Sequence, residues 1–388
     1  MLPTLPAGRS QASNGYERTI KGSKRYSGTG CFRLPFLIVA FAVLILNGCK
    51  KSEVHHLLNG FDQTNLVSDT TSFGATVIDP DLVNAWGLAV APSGPIWISD
   101  NGTGLSSVFD KSGGTVRPAV TIPRPDSPAG GAPTGVIFNG TSDFMIPSGK
   151  LMIPSRFIFA TEDGTIVAWG AGNSAVIASD QSPSGAVYKG IAMAVNGGSN
   201  FLYATNFHNG TIDVFDKSFT LQASAGFMDP ALPAGFAPFN IRNFDGLLFV
   251  TYAKQKPDHH DDTAGPGNGF VDIYKPDGTL VRRFASMGPL NSPWGMALVP
   301  TQLFMDKDKD KDMDPNVILV SNFGDGTINV FDKLGNFIGP LKDEGKPIVI
   351  DGIWAIENNV PNARPGQLFF TAGPFKESHG LFGYLEKK

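Results

Sequence analysis

Cysteine is almost absent from this chain of 388 residues: the two present, Cys31 and Cys49, both fall within the first 49 positions. No disulfide framework can hold the rest together, so a hydrophobic core must do it. Long apolar runs are equally scarce. The longest, Leu34–Leu46 (LPFLIVAFAVLIL), has 13 residues, short of the roughly 20 that cross a bilayer as a helix. Local catalytic signatures are missing too: no G-x-S-x-G elbow, CxxC, HEXXH, haem attachment motif or P-loop occurs. Those absences exclude only local motifs, because a protein built of repeats can draw one ligand from each of several.

The apolar run is more informative for where it sits. It follows a basic leader containing Arg9, Arg18, Lys21, Lys24, Arg25 and Arg33 against a single acid, Glu17, and it ends in Leu46-Asn47-Gly48-Cys49. A basic segment, a short apolar core and a small-residue ending make a signal peptide, expected over residues 1–48; the alternative is an uncleaved anchor helix, for which the run is short. Leu-x-Gly-Cys resembles the bacterial lipobox, which implies cleavage before Cys49 and acylation of its thiol. Stable anchoring takes more than one acyl chain, which a lipoprotein provides. Residues 49–60 then read as a tether whose His55 and His56 lack a rigid frame for a metal. Lys50 stands where the enterobacterial inner-membrane retention pattern has Asp, which favours the outer membrane. The leader holds six of the 31 Lys+Arg and one of the 35 Asp+Glu, so the mature chain carries 25 against 34, net −9. An acidic exported protein is a poor nucleic-acid binder.

The composition, 41% hydrophobic and 17% charged over the whole chain, suits a globular fold. The 46 glycines and 29 phenylalanines suit short strands and tight turns. Self-comparison then reveals a repeat. TNFHNGTIDVFD (Thr205–Asp216) and SNFGDGTINVFD (Ser321–Asp332) match at eight of twelve positions. TEDGTIVAWG (Thr161–Gly170), SDNGTGLSSVFD (Ser99–Asp110), NGFVDIYKPDG (Asn268–Gly278) and HGLFGYL (His379–Leu385) are looser copies. Each follows a strand-like run (IWIS, FIFA, FLYA, LLFV, VILV, LFFT), and each of those follows another (WGLAV, TGVIF, GIAMA, FNIRN, WGMAL, GIWAI). The period of two in Thr-Ile-Asp-Val-Phe-Asp marks half-buried strands. Six units over Phe61–Leu385, about 54 residues each, leave room for a fourth strand. Arg117–Ile122, Ala175–Ser179, Thr220–Ser224, Leu280–Ala285 and Asn336–Leu341 are expected to supply it in five units. Asn65–Ser68 is expected to supply the sixth and close the ring. The fold class is therefore all-β: a single six-bladed β-propeller of four-stranded blades over residues 61–388, closed by an N-terminal strand.

The ordered phrases NAWGLAVAPSGPIWISDNGTGLS, FATEDGTI, ATNFHNGTIDVFD, VTYAK, GPGNGFVDIY, LNSPWGMAL, SNFGDGTINVFD and FTAGP resemble an uncharacterised family of exported bacterial proteins with NHL-like repeats. The resemblance implies a propeller and export, and carries no catalytic residue.

In an antiparallel meander, the turn between second and third strands lies on the same face as the link into each innermost strand. His208, His259, His260 and His379 all fall in such second-to-third turns, as do Asp100, Glu162, Asp163, Asn206, Asn322 and Asp325. Trp86, Tyr188 and Trp294 begin innermost strands, at the channel mouth. A concave mouth with aromatic and a few polar groups is a candidate ligand site. The competing explanations are structural: Asn-Gly and Asp-Gly pairs make tight turns, and tryptophans fill cores.

Asp258-His259-His260-Asp261-Asp262 looks like a metal motif, but adjacent residues of an extended segment point apart and the zinc-type H-x₃₋₅-H spacing is absent. Any site there needs His208 or His379 from other blades. The stretch Asp306–Asp314 (DKDKDKDMD) suggests a calcium loop, but Lys311 occupies the required glycine position and Val317 that of the bidentate Glu. Two functions remain open. One is a lipid-anchored, monomeric module that binds a protein or glycan at the cell envelope. The other is a lactonase- or gluconolactonase-type hydrolase with calcium or zinc at the mouth, for which Glu162, Asn206, Asn240 and Asp351 are candidate ligands.

Overall fold

A computed structural model describes residues 58–223, 226–300 and 316–388. The signal peptide, Cys49, most of the tether and the Asp306–Asp314 stretch lie outside the described residues. Among the described residues no helix is long and apolar enough to cross a membrane.

Six antiparallel blades follow one another around a central channel. From innermost strand outward, blade one is Ala85–Val90, Ile96–Asp100, Leu105–Phe109 and Thr115–Thr121. Blade two is Pro133–Phe138, Phe157–Thr161, Thr165–Trp169 and Val176–Asp180; blade three is Tyr188–Asn196, Ser199–Asn206, Thr211–Phe215 and Leu221–Gln222. Blade four is Phe236–Phe244, Leu247–Lys254, Gly269–Tyr274 and Leu280–Ser286; blade five is Pro293–Pro300, Asn316–Asn322, Ile328–Phe331 and Phe337–Pro340. Blade six takes Ile353–Glu357, Leu368–Ala372 and Leu381–Lys387 from the C-terminus. Its fourth strand is Phe61–Ser68, paired antiparallel from Phe61↔Lys387 to Ser68↔Leu381. The ring thus closes where the sequence predicts, with a longer strand than Asn65–Ser68. The outer strand of blade three is shorter than expected, and blade two carries an unforeseen hairpin, Met145–Ser148 with Leu151–Pro154.

Alternation drives the packing. Strands bury both faces against neighbouring blades, as where Trp97 and Val108 of blade one meet Phe157, Phe159 and Val167 of blade two. Each such side chain contributes about 1.5–3 kcal/mol of burial. Two features then shape the channel. Every innermost strand carries one extra residue near its start, seen as a register shift at Ala85/Leu88, Tyr188/Gly190, Pro238/Asn240, Pro293/Met296 and Ile353/Ile356, and opposite Phe159/Thr161 in blade two. Such bulges re-aim a side chain. Here they bring Trp86, Trp294 and Trp354 into mutual contact, with Phe239 against Trp354 and Lys189 over the Trp86 ring. The second feature is a hydroxyl at the end of the second strand that locks one blade to the next. Thr205 Oγ1 donates to Phe239 O (3.2 Å), Ser321 Oγ to Trp354 O (2.7 Å) and Thr371 Oγ1 to Trp86 O.

Glycines follow the bulge in four blades because the innermost strands almost touch there. A Cβ on Gly87 would lie 2.3 Å from Thr134 O, on Gly135 2.8 Å from Ile191 N, and on Gly295 2.3 Å from Trp354 O. This constriction divides the channel into a mouth on one face and a cavity on the other.

Candidate functional site

The mouth lies on the face where the innermost strands begin. Its centre is Lys189, which is 2% exposed. Burying an ammonium demands partners. Glu162, from the second-to-third turn of blade two, pairs with it directly; Asp261, from the long turn of blade four, lies 3.7 Å away. The Trp86 ring face is 5.2 Å from the same nitrogen, a cation–π contact. Glu162 also accepts from Asn101 Nδ2 (2.9 Å), Asn101 Oδ1 from Asn84 Nδ2 (3.2 Å), and Asn84 Oδ1 from Trp354 Nε1 (2.9 Å). Asn84 donates as well to Glu377 (3.0 Å), which sits at the end of three consecutive left-handed residues, Phe375 to Glu377. One belt of hydrogen bonds and ion pairs thus joins groups from blades six, one, two, three and four.

The long turn of blade four folds over the channel. Gln255 and Asp262 form a bridge, Lys256 N donates to Asp261 O (2.8 Å), and His259 takes a left-handed backbone (φ 59°). That reversal sends the two histidines apart. His259 stacks edge-on against His208, ring centres 5.8 Å apart, while His260 Nδ1 bonds Asp261 Oδ1 at 3.0 Å. The His260 bond, with the Lys189 and Lys256 charges, holds the Asp261 carboxyl well below the usual carboxylate range. The same bond raises the His260 pKa. Burial pushes the Asp262 and Glu377 carboxyls up.

Donor atoms of Glu162, His260 and Asp261 lie within 4.8 Å of one another, a spacing that could hold an ion. The arrangement nevertheless fits calcium or zinc poorly. Calcium takes six to eight oxygens, more than these three side chains supply. A catalytic zinc takes three protein ligands and an open position, so for zinc the obstacle is not their number but the Lys189 ammonium, which already pairs with Glu162 and lies 3.7 Å from Asp261.

Other expected site residues go elsewhere. His379 bonds Asp69 (2.7 Å) between the rings of Phe73 and Phe375. Asn206 organises its own turn, donating to Asp213 (3.0 Å) and accepting from the Val187 and Asn209 amides. Asp351 accepts from Phe375 N (2.8 Å) at the surface. Tyr188 is turned away from the mouth into the packing between blades two and three, its hydroxyl donating to Asp213 (2.7 Å). Trp86 and Trp294 do reach the channel, but as a buried stopper: Trp86 stacks on Trp354 at 3.8 Å and Trp294 Nε1 donates to Lys189 O (3.0 Å). The overlooked residues are Lys189, Asn84, Asn101, Glu377 and Trp354. A signal for Lys189 existed: among the six aligned strand starts, NAWG, APTG, VYKG, APFN, SPWG and GIWA, it is the one side chain that carries a charge at neutral pH.

Beyond the glycine constriction the channel opens into a cavity of about 430 Å³. Its lining reaches Val90, Phe138, Asn243 and Glu357, at or near the far ends of their strands, so it opens on the opposite face. Asn240 stands at the boundary: its Nδ2 donates to Trp294 O (2.8 Å), and its Oδ1 accepts from Ile241 N (2.8 Å). Arg242 Nη2 pairs with Glu357 Oε2 at 2.7 Å on the cavity wall. The sequence offers no local signal for this pair, since its members are 115 residues apart.

No protein-family model matches the sequence. Uncharacterised protein R648 of Acanthamoeba polyphaga mimivirus is 31% identical over 333 residues, covering 83% of this chain and 79% of the viral protein. Uncharacterised protein L690 of the same virus is 32% identical over 325 residues, 80% and 81% of the two chains. A solved protein of unknown function from Bacteroides thetaiotaomicron superposes with a TM-score of 0.51 at 10% identity, over 84% of this chain and 72% of that one. That likeness concerns the fold alone. The named relatives are viral rather than bacterial, and at their identity and coverage the chain belongs to the same protein family as mimivirus R648 and L690.

Proposed function

We propose that this propeller is an exported binding module, lipidated at Cys49 and held at the bacterial cell envelope, on the outer membrane, where it engages a protein or glycan as a monomer. The basic leader, short apolar core and Leu-x-Gly-Cys ending support the address. The observation that favours binding over catalysis is the position of Lys189. Its ammonium neutralises the carboxylates that a metal-dependent hydrolase would need at the mouth, while a cavity of about 430 Å³ lies at the other end. The hydrolase reading draws its support from the spacing of Glu162, His260 and Asp261.

Metal analysis of the detergent-solubilised full-length protein, with melting followed before and after chelation, separates the two readings. Binding predicts no stoichiometric metal and a melting temperature indifferent to chelator or added calcium and zinc. Bound metal with a chelator-sensitive melt would sink it.

A further inference from the structure

The cavity beyond the constriction has a lining that selects among ligands. Its volume, about 430 Å³, falls within the roughly 300–1,000 Å³ typical of small-molecule sites. The lining is two-sided. Blades one to three contribute apolar groups, among them Val90, Phe138 and Met193, and blades four and six contribute Asn240, Arg242 and Glu357. Trp294 also lines it, as the floor at the constriction.

Charge narrows the choice. Arg242 and Glu357 neutralise each other at 2.7 Å, so the pair offers no net charge to draw in an anion or a cation. An uncharged ligand meets a donor and an acceptor side by side. Arg242 uses one of its five N–H donors on Glu357, leaving others for a ligand oxygen. The six innermost strands are each at the end of their sheet, so their edges face the channel. Some edge carbonyls are already taken across blades, Met193 O accepting from Asn243 Nδ2 (2.9 Å) and Trp294 O from Asn240 Nδ2 (2.8 Å). A peptide that binds by strand addition needs one continuous edge. Here the edges are short and converge in a ring, which suits a compact molecule carrying hydrogen-bonding groups around its circumference and apolar faces above and below.

We infer that the cavity opposite the charged mouth receives an uncharged sugar ring, the terminal residue of a glycan, with its hydroxyls on the Arg242–Glu357 pair and an apolar face against blades one to three. The inference rests on the binding-module reading and names the ligand class and the end of the channel that takes it.

The test is calorimetric titration of the full-length protein in detergent with glucose, N-acetylglucosamine and maltose, beside gluconate and glucosamine as charged counterparts. At least one neutral sugar should bind, at least tenfold more tightly than the matched anion or cation. Glu357→Gln should weaken that binding tenfold or more without change of shape, and Val90→Trp, which fills the cavity, should abolish it. Circular dichroism and melting serve as the folding control. Absence of binding by every neutral sugar overturns the assignment, as does binding that survives both substitutions. A peptide ligand lost in Val90→Trp, with no sugar bound, overturns the glycan in favour of a protein while leaving the module reading intact. Stoichiometric metal in the same preparation would overturn the module reading itself.

Discussion

The two ends of the channel come from one repeat yet solve opposite problems. At the mouth, side chains from four blades are tied, through Glu162 and Asp261, to a buried ammonium supplied by a fifth, and charge closes the channel. At the far end, the regular ends of the innermost strands leave a cavity whose single ion pair sits partly in water. Both ends have an ion pair, Lys189–Glu162 and Arg242–Glu357, but the side chains are 2% and 14% exposed in the first and 29% and 14% in the second. Burial makes the first a structural element that tolerates no missing partner. Partial hydration leaves the second available to a ligand.

Removing one cation from each end should separate them most sharply. Lys189→Met leaves Glu162 and Asp261 without their buried counter-charge and is expected to cost about 3–5 kcal/mol. Arg242→Met is expected to cost about 1 kcal/mol or less. Urea denaturation of both variants measures the difference, and equal losses would erase the distinction between ends.

The partition itself is the next target. Gly295→Ala places a Cβ 2.3 Å from both Ser321 Oγ and Trp354 O, where an added methyl must push two blades apart. A loss of about 1–3 kcal/mol is expected. An unperturbed melting temperature would mean that the strands do not meet so closely.

The smallest effect concerns pH. His260 has a folded pKa raised above its ordinary value by Asp261, so its stabilisation is fully present below the unfolded pKa, about 6.5, and is lost as pH rises through the folded pKa. His260→Gln should therefore lower the melting temperature slightly near about pH 5.5 and not near about pH 9, where the histidine is neutral. A deficit that is the same at both pH values would show that the imidazole acts by packing rather than by charge.

Much of the fold was legible because its signals are local and repeated. Asn-Gly and Asp-Gly turns and alternating third strands recur in register, and Asn65–Ser68 could be assigned to ring closure from the strand missing in the last unit. The site was legible only in part. The sequence places the long blade-four turn at the mouth and sets its two adjacent histidines pointing apart, but it does not say which partner each one meets. One left-handed residue, His259, sends one of them to His208 and the other to Asp261. His379 was drawn off by Asp69, a residue just past the closing strand.

The amino-acid order by itself determines the repeat, the number of blades and the strand that closes them, because periodicity and turn chemistry act over a few residues. It also sets which residues can carry charge near the channel. Only the tertiary structure decides which charges meet: Glu162, Lys189 and Asp261 belong to three blades, and their pairing depends on bulges and turn lengths that bring distant segments within 4 Å. The same packing decides which end of the channel stays open. Strand spacing at a ring of glycines sets that, and spacing between blades is a property of the closed ring rather than of any one repeat.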